Sequence, residues 1–111
     1  MVERSLNLDD IFYSLADPTR RDILRRIADV ELSVSEIAKH YDLTFGAISK
    51  HLKVLERALL VTKTRRGKEQ IVRIAPQALV SAMDYLEWYK PFWNNRLDSL
   101  EAFINEEHGN K

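Results

Sequence analysis

The sequence predicts a mainly α-helical domain carrying one two-stranded β-hairpin, in the order α-α-α-α-β-β-α. Apolar residues three and four apart run through most of the chain, which is the spacing of a helix with one buried face. Helix-starting residues punctuate the first half at Asp17, Ser33 and Thr44. Between Leu60 and Ile74 the pattern changes to stretches rich in β-branched residues around a central glycine, which is the pattern of a hairpin.

In order, Leu8, Ile11, Phe12 and Leu15 line one face of a first helix that ends near Ala16. Asp17-Pro18 reads as an N-cap followed by proline at the first helical position, where a missing N–H costs nothing. Ile23, Leu24 and Ile27 then supply the buried stripe of a second helix. Ser33 with Glu36 fits a capping box that opens a third helix, expected to run to about Tyr41. Asp42-Leu43-Thr44 is a short connector ending in a good N-cap, and Ile48, Leu52 and Leu55 are the inward stripe of a fourth helix. Two short helices across a tight turn make a helix-turn-helix. The strands Leu60 to Arg65 and Glu69 to Ile74 follow, joined by Arg66-Gly67-Lys68, so the whole is expected to be a winged helix-turn-helix. Pro76 closes the second strand, and a long helical pattern begins at about Gln77. Pro91 removes a backbone donor and should kink or split this last helix near Lys90. The tail Gly109-Asn110-Lys111 is expected to fray.

Length and composition limit the classes. With 111 residues, residues 1–111 form one domain with one core, and no separate effector domain is expected. A hydrophobic fraction of 45% and a charged fraction of 31% are those of a folded globular protein. No apolar run is long enough to span a bilayer, and Met1 to Asp10 lacks a basic region followed by an apolar stretch, so a cytoplasmic location is expected. The absence of cysteine excludes disulfides, zinc fingers, thiolate metal sensing and a catalytic thiol. Three glycines leave no phosphate-binding loop and no nucleophile motif is present, so neither an enzyme nor a cofactor is expected.

The charge distribution is more informative than its zero net value. Thr44 to Arg73 carries eight basic residues against two acidic ones, whereas Met1 to Leu43 has six against nine and Ile74 to Lys111 three against six. A basic block thus lies between acidic flanks, a distribution suited to nucleic acid. With Ile48, Leu52 and Leu55 turned inward, the fourth helix leaves Phe45, Gly46, Ser49, Lys50 and Lys53 outside, after Thr44 at its cap. Ser49, Lys50 and Lys53 suit base edges or phosphates, Phe45 suits a thymine methyl, and Gly46 lets the backbone approach closely. The hairpin tip concentrates Lys63, Arg65, Arg66 and Lys68 around Gly67, as a wing reaching for phosphates would need. Each part has a plainer reading, a solvated helix face and a charged edge strand. In succession they place two cationic elements on one side of a small domain.

Leu15-Ala16-Asp17-Pro18-Thr19-Arg20-Arg21-Asp22-Ile23-Leu24 resembles the second-helix signature of the arsenic-repressor (ArsR/SmtB-type) transcription factors. Ile48-Ser49-Lys50-His51-Leu52-Lys53-Val54-Leu55 is similar to their recognition helix, and Leu59-Leu60-Val61 leads into a wing as theirs does. The resemblance implies a repressor that binds double-stranded DNA as a homodimer, with an inverted-repeat operator. It also implies that the first and last helices, residues 1–16 and 77–106, form the dimer interface, and that His51 lies on the DNA-reading helix. The interface residues would be Leu8, Ile11 and Phe12 with Met83, Leu86, Trp93, Leu97, Leu100 and Ile104, a three-four stripe interrupted by Lys90.

The family's metal sites are not matched. Ser33 and Ser35 of Glu31-Leu32-Ser33-Val34-Ser35-Glu36-Ile37 stand where its thiolate site needs cysteines, and hydroxyls are poor ligands for soft metals. Asp84 sits where the family's last-helix site begins, but Leu86 replaces the histidine two residues on. His40, His51 and His108 show no i, i+4 pair, so no metal site is expected. Tyr85, Trp88, Tyr89, Phe92 and Trp93 suit core or dimer interface, or a small-molecule pocket. A winged-helix protein-interaction module without DNA binding is the alternative function.

Overall fold

The computed structural model describes residues 7–109. Its elements are α1 (Leu8–Leu15), α2 (Pro18–Arg26), β1 (Leu32–Ser33), α3 (Val34–Ala38), α4 (Phe45–Arg57), β2 (Val61–Arg66), β3 (Glu69–Ile74) and α5 (Pro76–Gly109). Of the expected fraying tail, Asn110 and Lys111 lie outside the described residues, as does the expected first-helix segment ahead of Asn7. Among the described residues, no helix is long and apolar enough to cross a membrane.

Capping side chains set the helix starts. Asn7, Asp17, Ser33 and Thr44 each accept a hydrogen bond from the backbone N–H three residues on. At α3 the box is reciprocal: Ser33 Oγ accepts from Glu36 N at 3.1 Å, and Glu36 Oε1 accepts from Ser33 N at 2.8 Å. That helix is shorter than the sequence pattern suggests and ends at Ala38, after which His40 N and Tyr41 N donate to Ile37 O and Ala38 O in tighter turns.

The end of α4 is a Schellman motif without glycine. Leu59 N donates to Glu56 O at 2.9 Å and Leu60 N to Leu55 O at 3.0 Å, with Leu59 held at φ 62. A left-handed leucine costs about 1 kcal/mol. The apolar contact that accompanies this motif offsets it, because Leu55 and Leu60 are both fully buried.

The sheet has three strands in the order β1-β3-β2, one more than the hairpin expected. The added strand is two residues long, Leu32 opposite Val72 and Ser33 opposite Ile71, too short to show a period. In the hairpin, Arg66 pairs with Glu69, so the loop is the two residues Gly67-Lys68 rather than three. Gly67 takes φ 65, which a glycine at the first position of a two-residue hairpin loop adopts without steric cost.

One core joins α1 to α4, the strand bases and the start of α5. Ile11, Ile23, Ile27, Ile37, Ile48, Leu52, Leu55, Leu60 and Val72 are buried in it, with Ala78 and Ala82 bringing α5 in. Pro91 does not divide α5 into two helices: it lies inside one continuous helix. Beyond Ala82 that helix leaves the core. The radius of gyration is 19.3 Å with extents of 67 × 40 × 22 Å, against about 13 Å for a compact chain of roughly this length.

Candidate nucleic-acid interface

The buried stripe of α4 decides which of its residues face out. Ile48, Leu52 and Leu55 are fully buried, while Thr44, Phe45, Gly46, Lys50 and Lys53 are exposed and Ser49 is half-buried. Among the described residues, no carboxylate lies within ion-pair distance of Lys50 or Lys53. Their charges stand in water. The Thr44 hydroxyl is already engaged, accepting from Ala47 N at 3.0 Å.

The wing brings further cations to the same side. Arg65, Arg66 and Lys68 are exposed at the tip, and Arg65 Nε donates to Gly67 O at 3.1 Å, bracing the turn. A cleft lined by Val34, Phe45, Ser49, Leu52, Lys63 and Gln70 joins this hairpin to α4, so helix and wing form one surface. Lys63 is less available than the sequence suggests, being mostly covered and 3.3 Å from Glu56. Arg66 is also paired, at 2.9 Å from Glu31.

His51 departs from its expected place on the reading face. It is half-buried toward α2, and its Nδ1 lies 3.2 Å from Arg20 Nη1. A guanidinium only donates, so Nδ1 accepts and is spent within the chain. Asp17 Oδ2 lies 3.9 Å from the same nitrogen. The ring thus couples α4 to the start of α2.

Arg20 itself is a residue whose role the sequence pattern left unassigned. It is buried, and its Nε donates to Ser14 O at 2.9 Å and its Nη2 to Tyr13 O at 3.1 Å. Arg21 Nη1 donates to Leu15 O at 2.7 Å. Ser14 O and Leu15 O are carbonyls that the end of α1 leaves without helical partners, whereas Tyr13 O also accepts from Ala16 N at 3.2 Å. The two arginines of the Asp17-Pro18-Thr19-Arg20-Arg21 run therefore finish α1 while the aspartate starts α2. Ser14 Oγ adds a bond to Val54 O at 3.3 Å, tying α1 to α4.

A second polar group braces the turn between α3 and α4. Asp22 accepts from Tyr41 Oη and, at 2.9 Å, from Arg26 Nε. These bonds, Tyr41's first, hold the Asp22 carboxyl below the usual carboxylate range. Burial, reinforced by the Asp22 bond, pushes the Tyr41 phenol up to about 12. Arg26 Nη1 also donates to His40 Nδ1 at 3.1 Å.

The expected metal positions show other uses. Ser33 is buried and its hydroxyl is committed to the cap of α3. Asp84 is exposed on α5 beside Leu86, and among the described residues no group of three or more His, Asp or Glu side chains is gathered.

The expected interface residues divide into two groups. Ile11 is fully buried in the chain's own core, so it supports α1 from within and offers nothing to a partner. Leu8 and Phe12 are half-buried against that core, and the Phe12 ring meets Tyr85 edge-on at 5.9 Å. On α5, Met83, Leu86, Trp93, Leu97, Leu100 and Ile104 are all exposed, as are Trp88, Phe92 and Phe103. Tyr85 and Tyr89 join through their hydroxyls at 3.0 Å.

Comparison with known proteins agrees with this geometry. A helix-turn-helix domain family matches residues 15–64, which include α2, α3, α4 and the start of the wing. Over 99 residues the chain is 33% identical to the HTH-type transcriptional regulator Rv2034 of Mycobacterium tuberculosis, covering 89% of this chain and 90% of that protein. It is 31% identical over 61 residues to the transcriptional repressor SdpR of Bacillus subtilis, covering 55% and 68%. Its fold is similar to the crystal structure of an ArsR family transcriptional regulator, with TM-score 0.74 and 30% identity over 78% of this chain and 90% of that one. It is also similar to the solution structure of a homodimeric winged helix-turn-helix DNA-binding domain from Mycobacterium bovis, with TM-score 0.61 and 26% identity over 77% and 81%. These relatives are transcriptional regulators rather than enzymes.

Proposed function

The chain belongs to the ArsR-type winged helix-turn-helix transcriptional regulators, which are DNA-binding proteins, and from that premise we propose that it is a cytoplasmic homodimeric repressor acting at an inverted-repeat operator. The observation that carries this reading is the single surface made by the exposed face of α4 and the basic wing tip. In the complex, α4 enters the major groove with Phe45, Ser49, Lys50 and Lys53 toward base edges and phosphates, and Arg65, Arg66 and Lys68 meet the flanking backbone.

Two observations support the dimer. The apolar stripe of α5 is exposed from Met83 to Ile104 with half-buried Phe12 and Leu8 beside it, a contiguous patch of the kind that marks an interaction surface. The similar Mycobacterium bovis domain is homodimeric. Two copies joined along α5 present two recognition helices related by a two-fold axis, which is why a two-fold symmetric operator is expected. Repression is supported by the likeness to SdpR and by steric occupation of a promoter, which needs no further surface.

Selection of binding sites from random DNA, followed by electrophoretic shift and a promoter reporter, tests the proposal. An inverted repeat bound at nanomolar protein and a reporter switched down are expected. A reporter driven up, or no duplex bound at low salt, overturns it.

A further inference from the structure

Unlike Lys50 and Lys53, two cations of the wing already hold an anion. Glu31, the residue before β1, accepts from Arg73 Nη2 at 2.7 Å and Nε at 3.1 Å through Oε1, and from Arg66 Nη2 at 2.9 Å through Oε2. The register accounts for the arrangement. Leu32 opposite Val72 sets Glu31 beside Arg73, and alternation along the antiparallel strands puts Arg66 of β2 on the same sheet face. The arginine side chains are 63% and 54% exposed and that of Glu31 33%, so the cluster is open to water at its arginines. Ion pairs this open to water are held weakly, so the two arginines can be drawn away by a competing anion. Two guanidinium forks converging on one pair of oxygens are what would otherwise hold a phosphate.

We propose that Glu31 is a built-in competitor for DNA phosphate, holding Arg66 and Arg73 in the free protein and so lowering the sequence-independent part of its DNA affinity. The inference rests on the DNA-binding function of the family and adds to it two residues outside the recognition helix, Glu31 and Arg73. Glu31 touches no DNA. It acts through the two arginines, and its effect is to leave the base contacts of α4 a larger share of total binding. The paired arginines bring Glu31 below the usual carboxylate range, Arg73 contributing most, so the competitor stays charged wherever the protein works.

The test is binding of the full chain to a fluorescent random-sequence duplex, followed by anisotropy over about 50 to 200 mM salt. Glu31→Gln keeps the side-chain shape and removes the charge. It should bind about two- to fivefold tighter at about 0.1 M salt. The log–log salt slope should steepen by about one to two for each protomer engaged, the release expected from one or two added phosphate contacts per wing. In an Arg66→Gln/Arg73→Gln background the same substitution should change nothing, and Glu101→Gln on α5 should leave both quantities at their wild-type values. Should Glu31→Gln fold poorly, Glu31→Asp is too short to reach both arginines and should shift affinity the same way by less. Unchanged or weaker binding by the folded variants, or an equal gain in the double-arginine background, overturns the proposal. Failure of the wild-type protein to bind any duplex at low salt would instead refute the DNA reading beneath it.

Discussion

Replacing Arg20 by methionine removes the group that finishes α1, while leaving every exposed side chain of α4 and the wing in place. Arg20 is 8% exposed and makes bonds to Ser14 O, Tyr13 O and His51 Nδ1. Tyr13 O keeps a second donor, Ala16 N at 3.2 Å, so its loss is partial. Ser14 O has no helical donor to fall back on, because Pro18 lacks an N–H. Hydrogen bonds to a charged donor are worth about 1.5–3 kcal/mol each, and an orphaned buried acceptor costs about 1–3 kcal/mol. Relief from burying the charge offsets part of this, leaving an expected loss of about 2–4 kcal/mol. For a domain of this size that lowers the melting temperature by roughly 10 to 20 °C. Circular dichroism melts at several protein concentrations provide the assay, since unfolding of the proposed homodimer would depend on concentration. Arg20→Lys keeps the charge but not the fork and should fall between the two. A loss below about 1 kcal/mol for Arg20→Met would show that the three bonds are not what holds α1 against α2.

Charged residues at the α5 stripe, Leu97→Glu with Leu100→Glu, should halve the mass seen by light scattering while the helical spectrum persists; an unchanged mass would place the dimer contact elsewhere. Arg65→Ala should weaken binding by a similar factor on every duplex, whereas Lys50→Ala and Ser49→Ala should change which bases are preferred, as read by competition among sequence variants. Asp22 and Glu36 are held below the usual carboxylate range, by bonds from Tyr41 and from the Ser33 backbone respectively. Depressed folded values mean that their contribution is full above the unfolded range and is lost as pH falls through the folded values. The urea midpoint should therefore drop below about pH 4.5, and Asp22→Asn should flatten part of that drop; a midpoint constant down to about pH 2 would contradict the assignment.

The elements legible in the sequence are those specified locally. Asp17-Pro18, Ser33 with Glu36, and Thr44 mark helix starts because each cap bonds to a donor three residues away, so the information is contained within one turn. The faces of α4 follow from Ile48, Leu52 and Leu55 in the same way. The two-residue β1 was not legible, since its identity as a strand depends on Val72 and Ile71 forty residues on.

By itself, then, the sequence determined a four-helix start, a hairpin and a long apolar-striped last helix, because caps, periods and turn residues act over three or four positions. It also determined which metal ligands are lacking, since that depends only on residue type at Ser33, Ser35 and Leu86. Only the tertiary structure decided how the charges and apolar groups are spent. It turned Ile11 inward, drew His51 to Arg20, gave Lys63 to Glu56, and gave Arg66 and Arg73 to Glu31. The physical reason is range. A cap or a hydrophobic period is read along the chain, whereas an ion pair between residues 31 and 73 exists only once the sheet has set the two side chains on one face.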